Sequence, residues 1–571
     1  MRWRSLQSVA YFGTLLVGLF GCGGERGSEP KPLKDRPSIV FLDVTEGSGL
    51  DSFRSTSGGD PSTTIVEVKG GGLALIDGDG DGDLDLVFPN GATLDAPSSG
   101  PGARYFRNLT VEEGRLAFKD ATAGSGLEAH RDWSFGNAVG DVDGDGIDDL
   151  IMATLGGDRL WLGRGGGRFE DGTSAWGLGT EGGPEEGWSS SMGLGDLDGD
   201  GDLDLVVVGY LDFDPADPPG TSTFRGIEVL SGPRGLSARA DRWYENVGGR
   251  FEPREVGGVA RYGLNLVIAD FDRDGRQDVL VGNDSHPNQY FRNLGDWRFE
   301  EVGVRTGAAT NREGDAQATM GMAIGDVDGD GTPDVFSTNF SSDTNTLHLN
   351  RDGFFDDRTR PFGLAEGSRP MLGWATEFVD LEHDGDEDLV VFNGHVYPEA
   401  TVETMDSAYA QLPGLWVRNG DGFQFMDSRD PAHASVFEAN EWLLRPHRDR
   451  AAVFADLDLD GDVDLVVMEH NGPPRLLENQ HDRPDDWLVV KPVPSAGAEV
   501  TAVRGDDTQR RWIRGGGPYQ SNAAPEAHFG FPPEGAGPIR VEVRWPDGTV
   551  MSKTAAPGDR LVMKRAGGSG S

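Results

Sequence analysis

Short apolar runs alternate with acidic, glycine-rich turns along most of the chain. GLALI from Gly72 and NLVIA from Asn265 precede such a turn, while LDLVF from Leu84, DLVVV from Asp204, DVLVG from Asp278 and DLVVM from Asp464 follow one. Runs this short, rich in Leu and β-branched residues, predict strands, so each turn is expected at the tip of a hairpin. Between the turns a second theme recurs: an aromatic residue or Leu, then Asn, a Gly-containing turn, then Phe and an acid. It reads YFRNLTVEEGRLAFKDAT from Tyr105, LWLGRGGGRFEDGT from Leu160, WYENVGGRFEPREV from Trp243, YFRNLGDWRFEEVG from Tyr290, LHLNRDGFFDDRT from Leu347 and LWVRNGDGFQFMDS from Leu415. This predicts a second hairpin, and one repeat is therefore four short antiparallel strands.

The acidic turn has the form D-x-[DE]-x-D-G-x-x-D and occurs seven times. Positions 1, 3, 5 and 9 hold Asp77, Asp79, Asp81 and Asp85; Asp141, Asp143, Asp145 and Asp149; Asp196, Asp198, Asp200 and Asp204; Asp270, Asp272, Asp274 and Asp278. The last three copies hold Asp326, Asp328, Asp330 and Asp334; Asp380, Glu382, Asp384 and Asp388; Asp456, Asp458, Asp460 and Asp464. Position 6 is a turn glycine, and position 7 offers a backbone carbonyl from Asp83, Ile147, Asp202, Arg276, Thr332, Asp386 or Asp462. Hard oxygens in this number are what calcium takes, at six to eight ligands about 2.3 to 2.6 Å away, so up to seven Ca²⁺ are expected. An EF-hand would require Glu at position 12, where these copies carry Phe88, Met152, Val207, Val281, Ser337, Val391 and Val467.

Seven four-stranded units at intervals of roughly 55 to 75 residues predict an all-β protein, a seven-bladed β-propeller over residues 38–480, because one such sheet cannot bury both faces alone. The last repeat, ending near Asn479, lacks its Phe-acid strand, and that strand occurs unpaired at the start, in FLDVTEGSGL from Phe41. Residues 40–45 are thus expected to complete the seventh blade. Two longer intervals, 210–241 and 393–450, are insertions suited to loops on one face, whether as binding elements or as tolerated surface. From Trp487 the calcium theme stops, and WLVVKPV, EVTAV, QRRWIRGGGPYQSN, AHFGF and IRVEVRWPDGTV predict a smaller, separate β domain over residues 481–565, then a flexible tail at 566–571.

Charge and cysteine usage narrow the function. The net charge of −45 excludes a nucleic-acid partner, and the four carboxylates of each loop account for much of it. The start, MRWRSLQSVAYFGTLLVGLFGC, has Arg2 and Arg4 before an apolar core too short to span a membrane, which predicts a signal peptide over 1–21. Cys22, the one cysteine of the chain, stands where a bacterial lipobox places its lipidated residue, with a polar tether over 22–37. An exported lipoprotein is expected, on the outer membrane or cell surface.

The repeats resemble FG-GAP or VCBS-type repeats, the units of the integrin α-subunit propeller. Gly515 to Tyr519, His528-Phe529-Gly530 and the RWPDG of Arg544 to Gly548 resemble the ASPIC/UnbV domain, and the combination is similar to the cartilage acidic protein family. The resemblance implies a calcium loop between the first two strands of each blade, and an integrin α N-terminal-like fold. Glu382 at position 3 and Ser231, where similar proteins often carry Cys, are departures. The expectation is a calcium-stabilised, envelope-anchored binding or adhesion protein for a glycan or an extracellular protein. A polysaccharide lyase or hydrolase is the alternative, but no G-x-S-x-G or H-E-x-x-H occurs, and only His395 and His528 stand out among the histidines. An envelope-held partner of an assembly or biosynthetic complex is a third. Arg504-Gly505-Asp506 is read as a charged turn rather than an adhesion tripeptide.

Overall fold

The computed structural model describes residues 39–179, 187–481, 486–532 and 537–565. The signal peptide, Cys22, the tether and the C-terminal tail lie outside the described residues. Among the described residues no helix is long and apolar enough to cross a membrane.

The chain is all-β apart from helices of one or two turns. Seven antiparallel sheets follow one another, and their first strands are Ala74–Ile76, Ser134–Gly140, Ser189–Gly195, Gly263–Ala269, Met322–Gly325, Gly373–Val379 and Asp449–Ala455. Each acidic turn joins the first strand to the second, and the second theme forms the third and fourth strands, as the sequence predicts. The fourth strand of the seventh sheet is Phe41–Asp43, paired with Pro474–Asn479 from the far end of the repeats.

Burial explains the strand sequences. Second strands such as Asp204–Gly209 are buried at every position, because both faces of each sheet meet a neighbour, so their pattern is a continuous apolar run rather than an alternation. Fourth strands such as Phe118–Asp120 bury only their Phe and expose charge, which guards the sheet edge. Apolar clusters join the first sheet to the second, the second to the third, and so on to the seventh. A further cluster joins Leu75 and Leu86 of the first sheet to Val453 and Val466 of the seventh.

The C-terminal region has a core of its own around Leu488, Val500, Val541 and Trp545, between a three-stranded and a four-stranded sheet. It also docks onto the repeat sheets. Its two-residue strand Gly515–Gly516 pairs with Gly263–Ala269, adding a fifth strand to the fourth sheet. Only glycine permits that approach: a Cβ on Gly515 would lie 2.1 Å from the Leu194 carbonyl oxygen, and one on Gly516 2.2 Å from that of Leu266. The segment continues inward. Asn522 exchanges hydrogen bonds with the backbone of Leu75, Asn137 donates to the Gln520 carbonyl, Asn265 to that of Gly517, and Tyr519 packs edge-on against Trp374 at 4.7 Å. One short stretch thus touches first strands from five sheets.

Candidate metal centres

Each acidic loop is held by its own aspartates. Position 1 follows the last residue of the first strand, and its carboxylate accepts the amide of the position 6 glycine, as Asp141 does from Gly146 at 2.9 Å and Asp456 from Gly461 at 3.0 Å. Position 9 is the first residue of the second strand and is fully buried in every copy. One of its oxygens accepts the position 2 amide, as Asp204 does from Leu197 at 2.8 Å; the other accepts an amide from the third strand, as Asp204 does from Asn246 at 2.9 Å. Position 9 therefore ties the loop and the third strand to the second.

The third-strand asparagine has a role that the sequence reading did not assign. Its side-chain amide reaches the position 2 carbonyl of the preceding sheet's loop: Asn246 to Val142, Asn293 to Leu197, Asn350 to Phe271 and Asn479 to Leu381, at 2.9, 2.7, 2.8 and 3.3 Å. Arg418 does the same for Val327 at 2.8 Å. In the second sheet Gly163 occupies the place, and the backbone amide of Gly167 bonds the Gly78 carbonyl at 2.9 Å. Asn108 of the first sheet donates to Leu457, in the loop of the seventh, at 2.8 Å. Each sheet is latched to its predecessor through an acidic loop. The recurrent Asn was the visible signal, but its partner lies one repeat away.

The loops fit a hard dication. Ligand oxygens lie within 4.8 Å of one another for Asp77, Asp79 and Asp81, for Asp141, Asp143 and Asp149, for Asp196, Asp198 and Asp204, and for Asp270, Asp272 and Asp278. Burial first, then neighbouring carboxylates, raise many of these acids: Asp204, Asp334 and Asp458 to about 8, and Asp278, Asp380, Glu382 and Asp464 well above the usual range. Crowded buried carboxylates of this kind take up protons or a cation. At position 7, Ile147, Arg276 and Thr332 bring no carboxylate, whereas the side chains of Asp83 and Asp462 are also buried and raised to about 8 and about 10, chiefly by burial. Arginines offset part of the charge: Arg164 meets Asp143 at 2.9 Å, Arg292 meets Asp272 at 2.9 Å, and Arg107 and Arg351 pair with positions 3 and 5 of their loops.

The C-terminal domain covers the loop ends of the sheets. Arg560 pairs with Asp456, Arg510 lies 3.6 Å from Asp326 and Lys491 4.0 Å from Asp77, so its cations meet position 1 of three loops. His528 donates through Nε2 to the Gly461 carbonyl at 2.6 Å, and burial holds it well below its usual value. His395, lowered to about 3 by burial, bonds Ser341 at 3.0 Å and accepts the Tyr397 amide. Both are satisfied structural histidines. Arg504 and Asp507 pair across a hairpin turn through Gly505, as a charged turn should.

At the opposite ends of the strands lies a chamber of about 490 Å³. The insertion hairpin Thr221–Phe224 and Ile227–Leu230 forms one wall, and Phe224, Phe340, Trp374 and Tyr397 supply aromatic faces. Within it Lys69 meets Asp284 at 3.2 Å and lies 4.8 Å from the Tyr210 ring centroid. Burial lowers the Lys69 ammonium and Asp284 partly offsets this, while the Tyr210 hydroxyl donates to Asp284 at 2.8 Å.

Residues 141–207, 270–337 and 326–391 match the FG-GAP-like repeat family, and residues 491–569 match the ASPIC and UnbV family. The chain is 25% identical over 318 residues to cartilage acidic protein 1 of Xenopus tropicalis and 24% identical over 315 residues to that of Homo sapiens. Each match takes in 53% of this chain but 45% and 44% of those proteins, so the chain spans less than half the length of these relatives. A solved lectin from Agrocybe aegerita is similar at 16% identity over 70% of this chain and 85% of the lectin, with a TM-score of 0.37.

Proposed function

We propose, from the matches of its repeats to FG-GAP-like repeats and of its C-terminal region to ASPIC and UnbV, that the chain is a calcium-stabilised, extracytoplasmic binding protein of the adhesion type. In this reading the seven sheets are the blades of one closed propeller, and the carboxylates of positions 1, 3, 5 and 9 with the position 7 carbonyl hold calcium in each loop. The observation that carries it is the latch: every sheet bonds the loop of its predecessor, and Asn108 does so from the first sheet to the seventh. A cation that stiffens a loop therefore stiffens a blade junction. The contacts of residues 514–522 with first strands of five sheets support a common axis.

The ligand of this reading is a glycan seated in the chamber. Aromatic faces stack on the apolar faces of sugars, and the Lys69–Asp284 pair offers a donor and an acceptor to their hydroxyls. Anchoring through lipid on Cys22 at the outer membrane or cell surface belongs to the same reading.

Residues 38–571 are unfolded by heat in excess EDTA and then in rising calcium, with bound metal counted on the same sample. Melting should rise steeply and the count approach seven, since each site at about 100 times its dissociation constant adds about 2.7 kcal/mol. Indifference to calcium would overturn the structural role. On a glycan array with calcium present, Lys69→Met should lose retention that the wild type shows; equal retention would remove the chamber as the site.

A further inference from the structure

His383, His481 and Asp486 meet where the sixth and seventh acidic loops face the C-terminal domain. His383 is position 4 of the sixth loop, held at φ 55°, where the first three loops and the fifth carry glycine. The same loop carries the one glutamate at position 3, so its two departures from the repeat are adjacent. His481 lies just past Pro474–Asn479, the third strand of the seventh sheet, and its backbone amide is tied to the Asp462 carboxylate of the seventh loop at 3.0 Å. Asp486 opens the C-terminal domain, where its carbonyl accepts the Phe531 amide at 2.6 Å.

Their side chains are all but inaccessible, at 1%, 4% and 5% exposure. His383 Nδ1 lies 2.9 Å from one Asp486 oxygen and His481 Nε2 3.1 Å from the other, with the imidazole centroids 4.3 Å apart. The three donor atoms fall within 4.8 Å of one another. A zinc ion bound at about 2.0 to 2.1 Å in a tetrahedron spaces its ligands about 3.3 Å apart, close to the two nitrogen–oxygen separations.

We propose that His383, His481 and Asp486 form a transition-metal site, most suited to Zn²⁺, that clasps the C-terminal domain onto the repeat sheets. Two imidazoles and one carboxylate select a borderline dication over calcium, which prefers oxygen alone. The surrounding carboxylates of the sixth and seventh loops add a field that favours a cation. The fourth tetrahedral position is left to water, beside the His528 ring, whose centroid is 4.9 Å from that of His383. The ligands come from two sheets and the following domain, so the ion cross-links segments that a chain with one cysteine cannot join by a disulfide.

The test uses the tag-free chain in saturating calcium, titrated with zinc against a chromophoric chelator and then analysed for total metal. One zinc per chain beyond the calcium count is expected, and cobalt in its place should give the visible bands of a four-coordinate site. His481→Gln and Asp486→Asn should each weaken zinc at least tenfold while leaving the calcium count unchanged. If Asp486→Asn fails to fold, His481→Gln decides alone. A wild type that binds no zinc above background, leaving a histidine–carboxylate hydrogen-bond network only, overturns the proposal. So does wild-type zinc affinity in His481→Gln.

Discussion

Asn108→Ala tests whether the first and seventh sheets are joined through the acidic loop. The Asn108 amide donates to the carbonyls of Leu457 at 2.8 Å and Leu84 at 3.2 Å, and its oxygen accepts the amide and hydroxyl of Thr110. The side chain is fully buried, so water cannot replace those bonds without opening the junction. Each buried carbonyl left without its donor costs about 1 to 3 kcal/mol, which puts the substitution at about 4 kcal/mol. The matched control is Asn293→Ala, which strips donors from Leu197 and Gln277 between consecutive sheets. Urea unfolding in calcium should give both variants a similar loss, a midpoint shift of at most about 1.3 M for a slope near 3 kcal/mol per M or above. If Asn293→Ala unfolds early and Asn108→Ala unfolds with the wild type, the first sheet is not latched to the seventh, and the closed arrangement fails.

Gly516→Val places a Cβ against the Leu266 carbonyl at φ 72°, so residues 514–522 should leave the sheets. Limited proteolysis should cut that segment at least about tenfold faster, the equivalent of about 1.4 kcal/mol of undocking, and an unchanged rate would refute the fit. Asp456→Asn removes a proposed calcium ligand and the buried partner of Arg560, whereas Asp143→Asn faces only the more exposed Arg164. Both should lower the calcium count by one, but only Asp456→Asn should loosen the C-terminal domain in hydrogen exchange. In EDTA the folded protein should lose stability as pH rises from about 4 to 8. Asp85, Asp149 and Asp202 are raised to about 7 and Asp204 and Asp334 to about 8, so the folded state holds protons that the unfolded chain, titrating near 4, has released. Melting scans across that window check the sign, and calcium should flatten the slope.

What the sequence determined by itself is local. Seven acidic turns, the strands flanking them and the Phe-acid hairpins were legible because each depends on residues a few positions apart, including the Gly at position 6 and the apolar run after position 9. Even the return of Phe41–Asp43 to the last sheet could be inferred, since one repeat lacked a strand and one strand lacked a repeat. What the tertiary structure alone decided is long-range pairing. Asn108 meets Leu457 across 349 positions and Asn522 meets Leu75 across 447, contacts that no spacing encodes. GGGPY read as a domain motif gave no sign that its missing side chains let a backbone pass between five sheets. His383 gave no signal within its loop, because the carboxylate it faces, Asp486, lies 103 positions on and is brought to it only when the C-terminal domain docks. Side-chain chemistry and short periods are written along the chain; which surfaces meet follows from how the sheets bury their faces against one another.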